Sequence, residues 1–191
     1  MRSLQIVEAS EVALFTTAEA KLHLKVDSTD DDTLIDNLIT AATDSAQIYT
    51  NRFFINTTVK QYGDTWRDIS TLYKSPVSSV AAITYYDSSN ALQTLDDAVY
   101  LADMIATPAR ISLDVDKTYP TLAARDNAVM VEYVVGYGST AASVPEGIKS
   151  ECLLMIANWY QNRQSVVTGT IANEMPLSSQ YLLNQYKVQT C

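Results

Sequence analysis

The chain has 191 residues and carries 22 acidic against 13 basic side chains, a formal charge of −9. Apolar residues make up 47% and charged ones 18%, a composition that packs into a globule. The acidic balance argues against nucleic-acid binding through the general surface, which rests on clustered Lys and Arg. No apolar run reaches the roughly 18 residues of a membrane span. The start, Met1-Arg2-Ser3-Leu4-Gln5, meets Glu8 without a signal-peptide core, so a soluble, non-secreted protein is expected.

In chain order, Thr16-x-x-Glu19 is a capping-box pattern before a short helix over 18–24, with Ala18, Leu22 and Val26 roughly aligned. An acidic loop, Asp27-Ser28-Thr29-Asp30-Asp31-Asp32, follows. Leu34, Leu38, Ala41, Ala42, Ser45 and Tyr49 then recur at three- and four-residue steps, which predicts an amphipathic helix over 33–51. The aspartates before it complement the helix dipole, and an EF-hand is excluded because the loop lacks its Gly and spaced Glu.

From 57 to 135, β-branched and aromatic residues cluster in short runs between turn formers. Val80-Ala81-Ala82-Ile83-Thr84-Tyr85-Tyr86, a polar turn Asp87-Ser88-Ser89-Asn90 and Ala91-Leu92-Gln93-Thr94-Leu95 predict a hairpin. Runs at 99–102 and 109–113 continue in this style. Val129, Val131, Tyr133 and Val135 alternate with Ala128, Met130, Glu132 and Val134, a period-two strand ended by Gly136-Tyr137-Gly138. Helix returns at 145–164, opened by Pro145, with Ile148, Cys152, Met155 or Ile156, Trp159 and Arg163 along one side. A polar stretch over 162–173 leads to Met175-Pro176 and a last short helix at 178–187. The expected fold is α+β: a small helical bundle from the chain ends (1–55 and 144–191) with an antiparallel β-rich insertion at 56–143.

Catalytic signals are thin. One His (His23) and two distant cysteines, Cys152 and Cys191, offer neither a zinc set nor a catalytic triad, and a disulfide is not expected. Ile111-Ser112-Leu113-Asp114-Val115-Asp116-Lys117-Thr118 has the Asp-x-Asp-x-Thr form of a metal-dependent phosphohydrolase loop. That chemistry also needs a parallel sheet and a later acidic pair, and Asp96-Asp97 lies upstream. Asp114 and Asp116 read better as turn and edge residues. No catalytic residue, metal site or cofactor is expected. The twelve tyrosines suit interfaces as well as cores.

The linear order of motifs is more telling. Tyr49-Thr50-Asn51-Arg52-Phe53 closes the long helix, and Trp66, Pro76-Val77-Ser78-Ser79-Val80, Ile83-Thr84-Tyr85-Tyr86-Asp87 and Val99-Tyr100 follow. Then come Pro108-Ala109-Arg110-Ile111, Tyr119-Pro120, Val131-Glu132-Tyr133-Val134-Val135-Gly136-Tyr137-Gly138, Val144-Pro145-Glu146-Gly147-Ile148-Lys149 and Trp159-Tyr160-Gln161-Asn162-Arg163. From about 10 to 187 this order resembles the gp6-like head–tail connector (adaptor) family of long-tailed bacteriophages. Asn51 stands where the family usually has Gly, and Tyr119 where Trp is common before the proline.

The resemblance implies a non-enzymatic virion protein of the neck, assembled in the host cytoplasm. It would form a ring, commonly of twelve copies, below the portal protein, extend the DNA channel without sequence-specific binding, and present a surface to stopper or tail proteins. It also implies a carboxyl-terminal arm that docks on the portal, here Met175, Pro176, Leu177, Tyr181, Leu182 and Tyr186. A closed ring needs two different patches per subunit, expected on the two long helices and their ends: Asp36, Asp44, Tyr49, Arg52, Lys149, Trp159 and Arg163. Segment 174–191 is expected to be mobile in the free subunit, and acidic residues such as those at 30–32 or 96–97 to line a DNA-repelling passage or its rim. The rival expectations are another neck or tail-completion protein, or the phosphohydrolase built on Asp114 and Asp116.

Overall fold

The alternation around Tyr133 builds the centre of the protein. β7 (Val129–Val135) buries Val129, Val131, Tyr133 and Val135 on one side and half-exposes the residues between them, as period two demands. The computed structural model describes residues 3–162 and 182–188. In it β7 is flanked by β2 (Thr57–Gly63) and β3 (Val77–Tyr86), both antiparallel to it. β1 (Ser3–Glu8) and β4 (Leu92–Thr94) close the edges, giving the order β1-β2-β7-β3-β4. A separate antiparallel ribbon pairs β5 (Tyr100–Asp103) with β6 (Arg110–Leu113). The hairpin expected at 80–95 is β3–β4, turning through Asp87, whose carboxylate accepts from the backbone of Ala91 and Ser89 and from Gln93. Those hydrogen bonds, Ala91 first, hold the Asp87 carboxyl below its ordinary pKa.

The chain divides into two compact units. One holds the described residues 3–10 and 51–139, with Val188; the other holds 11–50, 140–162 and 182–187. The expected helical span 1–55 is therefore corrected at its start, because 3–8 form an edge strand of the sheet.

Within the sheet unit, Val59, Ile83, Val131 and Tyr133 form a dry core with Ile69, Leu72, Leu95 and Ile111. Gln61 is buried among them, and all its polar atoms are used. Its Nε2 donates to the carbonyls of Asp68 and Thr71, and its Oε1 accepts from Tyr73 N and Tyr133 Oη. Trp66 stacks on Tyr119 with ring centres 4.4 Å apart and donates Nε1 to the Pro120 carbonyl at 2.9 Å. Gly136 ends β7 at φ 141°, and a Cβ there would lie 2.5 Å from Asn56 N, so a side chain is excluded twice over. Asn51 sits at φ 55°, a left-handed geometry that Asn tolerates better than most residues.

In the helical unit, α1 (Thr17–Leu24) starts from the expected capping box. Thr16 Oγ1 accepts from Glu19 N, and the Glu19 carboxylate accepts from Thr16 N at 2.7 Å. α2 (Asp32–Thr50) buries Ala42 as expected, but otherwise Ile35, Ile39 and Ala46, one residue round from the expected Leu34, Leu38 and Ser45, and leaves Ala41 exposed. α1 buries Ala20 rather than Ala18, Leu22 and Val26, and Leu22 is 83% exposed. α3 (Glu146–Gln161) buries Ile148, Cys152, Met155 and Ile156 as expected, together with Glu151. Each helix packs on the other two. The acidic run is part of this packing: Asp31 accepts from Tyr160 Oη at 2.6 Å, and Asp32 pairs with Lys21 at 2.7 Å.

Candidate interaction surfaces

The residues expected to meet neighbours are of three kinds. On α2, Asp44 is exposed, one turn before Ile48, which is 78% exposed on the same outer face. Asp36 is also exposed and accepts from Thr17 Oγ1 at 2.5 Å. On α3, Lys149 pairs with Glu146 at 2.5 Å, and Trp159 is half-buried. Arg52 belongs to the sheet unit instead, with its guanidinium 5.8 Å from the Tyr137 ring centre. Arg163, Met175, Pro176, Leu177 and Tyr181 lie outside the described residues.

Tyr49 meets the carboxyl-terminal piece that carries Leu182 and Tyr186. Residues 182–184 form a helical turn, and this carboxyl-terminal piece rests on the helical unit. Tyr49 Oη donates to Asn184 Oδ1 at 2.6 Å, and Lys187 Nζ lies 4.8 Å from the Tyr49 ring centre. Gly147, in the first turn of α3, makes room for Tyr186: a Cβ there would stand 2.7 Å from Tyr186 Oη. Leu183 is fully buried. Of the tail expected to be mobile, 182–188 is the described part, and within it Leu183 and Val188 are buried. The sequence reading quoted Gly147 within a motif but gave it no role, although a glycine inside an amphipathic helix is a readable sign of close approach.

Two further exposed features were not foreseen. The loop joining β5 to β6 carries Ile105 at 97% exposure, held outward because Asp103 Oδ1 accepts from the backbone N–H of Ile105 and Ala106. On the helical unit, an open groove of about 660 Å³ is lined by Ala18, Lys21, Leu22, Lys25 and Val26.

Chemically these surfaces suit contact rather than catalysis. Asp114 and Asp116 follow β6, whose ladder partner is the antiparallel β5, so they lack the parallel-sheet crevice that a phosphohydrolase uses. Asp116 occupies a left-handed turn at φ 59°. Burial pushes the Cys152 thiol up to about 12, far from a thiolate nucleophile at neutral pH. Burial also lowers the Lys74 pKa; its ammonium donates to Asn51 Oδ1 at 2.8 Å and lies over the Phe53 ring. Among the described residues no group of three His, Cys, Asp or Glu is placed to hold a metal ion, and no helix is long and apolar enough to cross a membrane.

The resemblance read from the motif order is borne out by comparison. The model of the phage gp6-like head-tail connector protein family matches residues 16–108. Three solved chains share the α+β fold almost end to end. One, from the neck of an empty GTA particle computed with C6 symmetry, has a TM-score of 0.79 at 20% identity and covers 99% of this chain and 97% of its own. Another, from the neck of a native GTA particle computed with C12 symmetry, scores 0.77 at 19% identity over 99% and 97%. The third, from the virion of a native gene transfer agent (GTA) particle, scores 0.77 at 18% identity over 98% and 96%. No curated protein matches the sequence.

Proposed function

We propose that the chain is a structural head–tail adaptor of a phage-type virion, located in the neck and assembled in the host cytoplasm. One observation carries this reading. The family match over 16–108 coincides with an end-to-end fold match to chains from the necks of GTA particles. In this role the subunits form a ring below the portal protein, extend the DNA channel, and offer an attachment surface to stopper or tail-completion proteins.

Ring closure takes two unlike patches on each subunit. We assign part of them to the outer faces and ends of α2 and α3, through Asp36, Asp44, Tyr49, Arg52, Lys149, Trp159 and Arg163. Portal docking is assigned to the carboxyl-terminal stretch, through Met175, Pro176, Leu177 and Tyr181, with Leu182 and Tyr186 at its end. The acidity fits a conduit rather than a reader of DNA. With −9 per copy, a twelve-fold ring like that of the C12 neck would carry more than a hundred formal negative charges, which repel phosphate. Asp30, Asp96 and Asp97 are exposed and suited to the passage or its rim, Asp96 and Asp97 also accepting from Ala98 N and Tyr100 Oη, whereas Asp31 and Asp32 are half-buried and engaged by Tyr160 and Lys21.

The test is assembly with the portal. Purified subunit mixed with portal rings is expected to give a second ring stacked coaxially on the portal in electron micrographs. Co-purification with a tail-tube protein and not with portal would favour the second reading, a tail-completion protein. Failure to form a ring with either partner would overturn the adaptor reading.

A further inference from the structure

We propose that the seat formed by α2 and α3 for residues 182–187 is an exchange site between copies, occupied in the assembled ring by residues 182–187 of a neighbouring subunit. This deepens the adaptor reading and rests on its ring. The seat is a shaped surface with a known occupant. Tyr49 bonds Asn184 and lies under Lys187, Gly147 leaves room for the Tyr186 ring, and Leu183 is sealed from water.

Two features make the occupant exchangeable. First, α3 carries a buried polar group one turn from the glycine of the seat. Glu151 follows Gly147 by four residues, which puts the two positions on the same side of the helix. Both of its carboxylate oxygens are buried and have no hydrogen-bond partner among the described residues. Opening the seat lets water reach them, which offsets part of what leaving costs. Second, residues 163–181 separate α3 from the seated piece. At about 3.3 Å per residue they reach up to roughly 60 Å, enough to span to a touching neighbour.

The neighbour's segment is the fitting occupant because it brings the sequence the seat already fits. Exchange therefore conserves every contact named above. It adds a tie between subunits at the cost of loop entropy, which grows slowly with length, and subunits held side by side present the segment at high effective concentration. Exchange of an identical element is a low-cost route to assembly. It also divides the carboxyl-terminal stretch, leaving 175–181 for the portal and 182–187 for the ring.

The native lysines test this without substitution. Lys149 lies two residues past Gly147, and Lys187 follows Tyr186, so an amine cross-linker joins them across the seat. Equal amounts of light-isotope and heavy-isotope subunits are mixed before assembly, cross-linked, and separated into ring and monomer fractions for mass spectrometry. Half of the Lys149–Lys187 pairs in the ring are expected to join a light to a heavy chain, and none in the monomer. Rings that yield same-isotope pairs alone would overturn the exchange while leaving the adaptor reading intact. A chain that forms no ring in the presence of portal would overturn both.

Discussion

Glu151 offers a direct measurement of what the helical unit gives up by holding an unpartnered carboxylate. The residue sits in α3, fully buried, with neither carboxylate oxygen hydrogen-bonded among the described residues. Glu151→Met keeps an unbranched side chain of similar length and a comparable helix propensity while removing the polar atoms. Leaving a buried polar group unsatisfied costs about 1–3 kcal/mol, and more for a charged one. Replacing buried charges by packed apolar residues has stabilised other proteins by about 1–4 kcal/mol. The expected gain is thus about 1–4 kcal/mol, and each kcal/mol raises the midpoint by roughly 2–4 °C for a chain of this size.

Thermal unfolding followed by circular dichroism, at one pH and at a concentration where the subunit is monomeric, measures the gain free of assembly effects. Glu151→Gln is the control: it keeps polar groups that need hydrogen bonds, so it should recover a smaller part. Hydrogen exchange supplies a second readout, with slower exchange expected for the amides of 182–187 in Glu151→Met. A midpoint that falls in Glu151→Met would refute the reasoning, since it would mean that the carboxylate is stabilised where it lies.

Three further outcomes are expected. Gln61→Leu strips four hydrogen bonds from the sheet core and should cost about 2–4 kcal/mol in urea unfolding, although the new side chain is more apolar. Gly136→Ala forces a side chain into left-handed backbone against Asn56 and should cost about 2 kcal/mol or more, read as a lower denaturation midpoint. Cys152 titrates at about 12 when folded against an ordinary value of 9.0, so the unfolded chain releases this proton first. Stability that is complete below pH 9 should therefore fall by about 1.4 kcal/mol per pH unit between 9 and 12, and Cys152→Ala should remove that part of the slope in urea midpoints measured against pH.

Much of the sheet was legible because period two is unambiguous where one face is dry. β7 and the β3–β4 hairpin stand where alternation and turn residues placed them. β1 was missed because an edge strand needs little buried surface: Ile6 and Val7 are each 50% exposed, so its six residues show no apolar face. On α2, Leu34 and Leu38 run beside Ile35 and Ile39, giving two adjacent apolar stripes. Periodicity identifies the helix, but packing against α3 selects which stripe is buried. Glu151 was invisible because a charge amid apolar helix residues ordinarily marks the wet side.

The motifs that carried the family resemblance turn out to be those that hold the subunit together. Gly136 lets β7 turn against Asn56, Tyr119 stacks on Trp66 beside Pro120, and Asn51 supplies the left-handed link after α2. The two departures from the family pattern are accommodated by the same physics, since Asn tolerates positive φ and Tyr presents a flat ring to Trp66 much as Trp would. The residues proposed to meet neighbours have no such signature. Asp44, Ile48 and Lys149 are ordinary exposed or half-exposed side chains whose role exists in a second copy or another protein. A protein that works by joining others can therefore disclose its fold and kinship in one sequence while its contacts stay silent there. The exception is a contact the chain also makes with itself, and the seat for 182–187, with Gly147 at its floor, is such a contact.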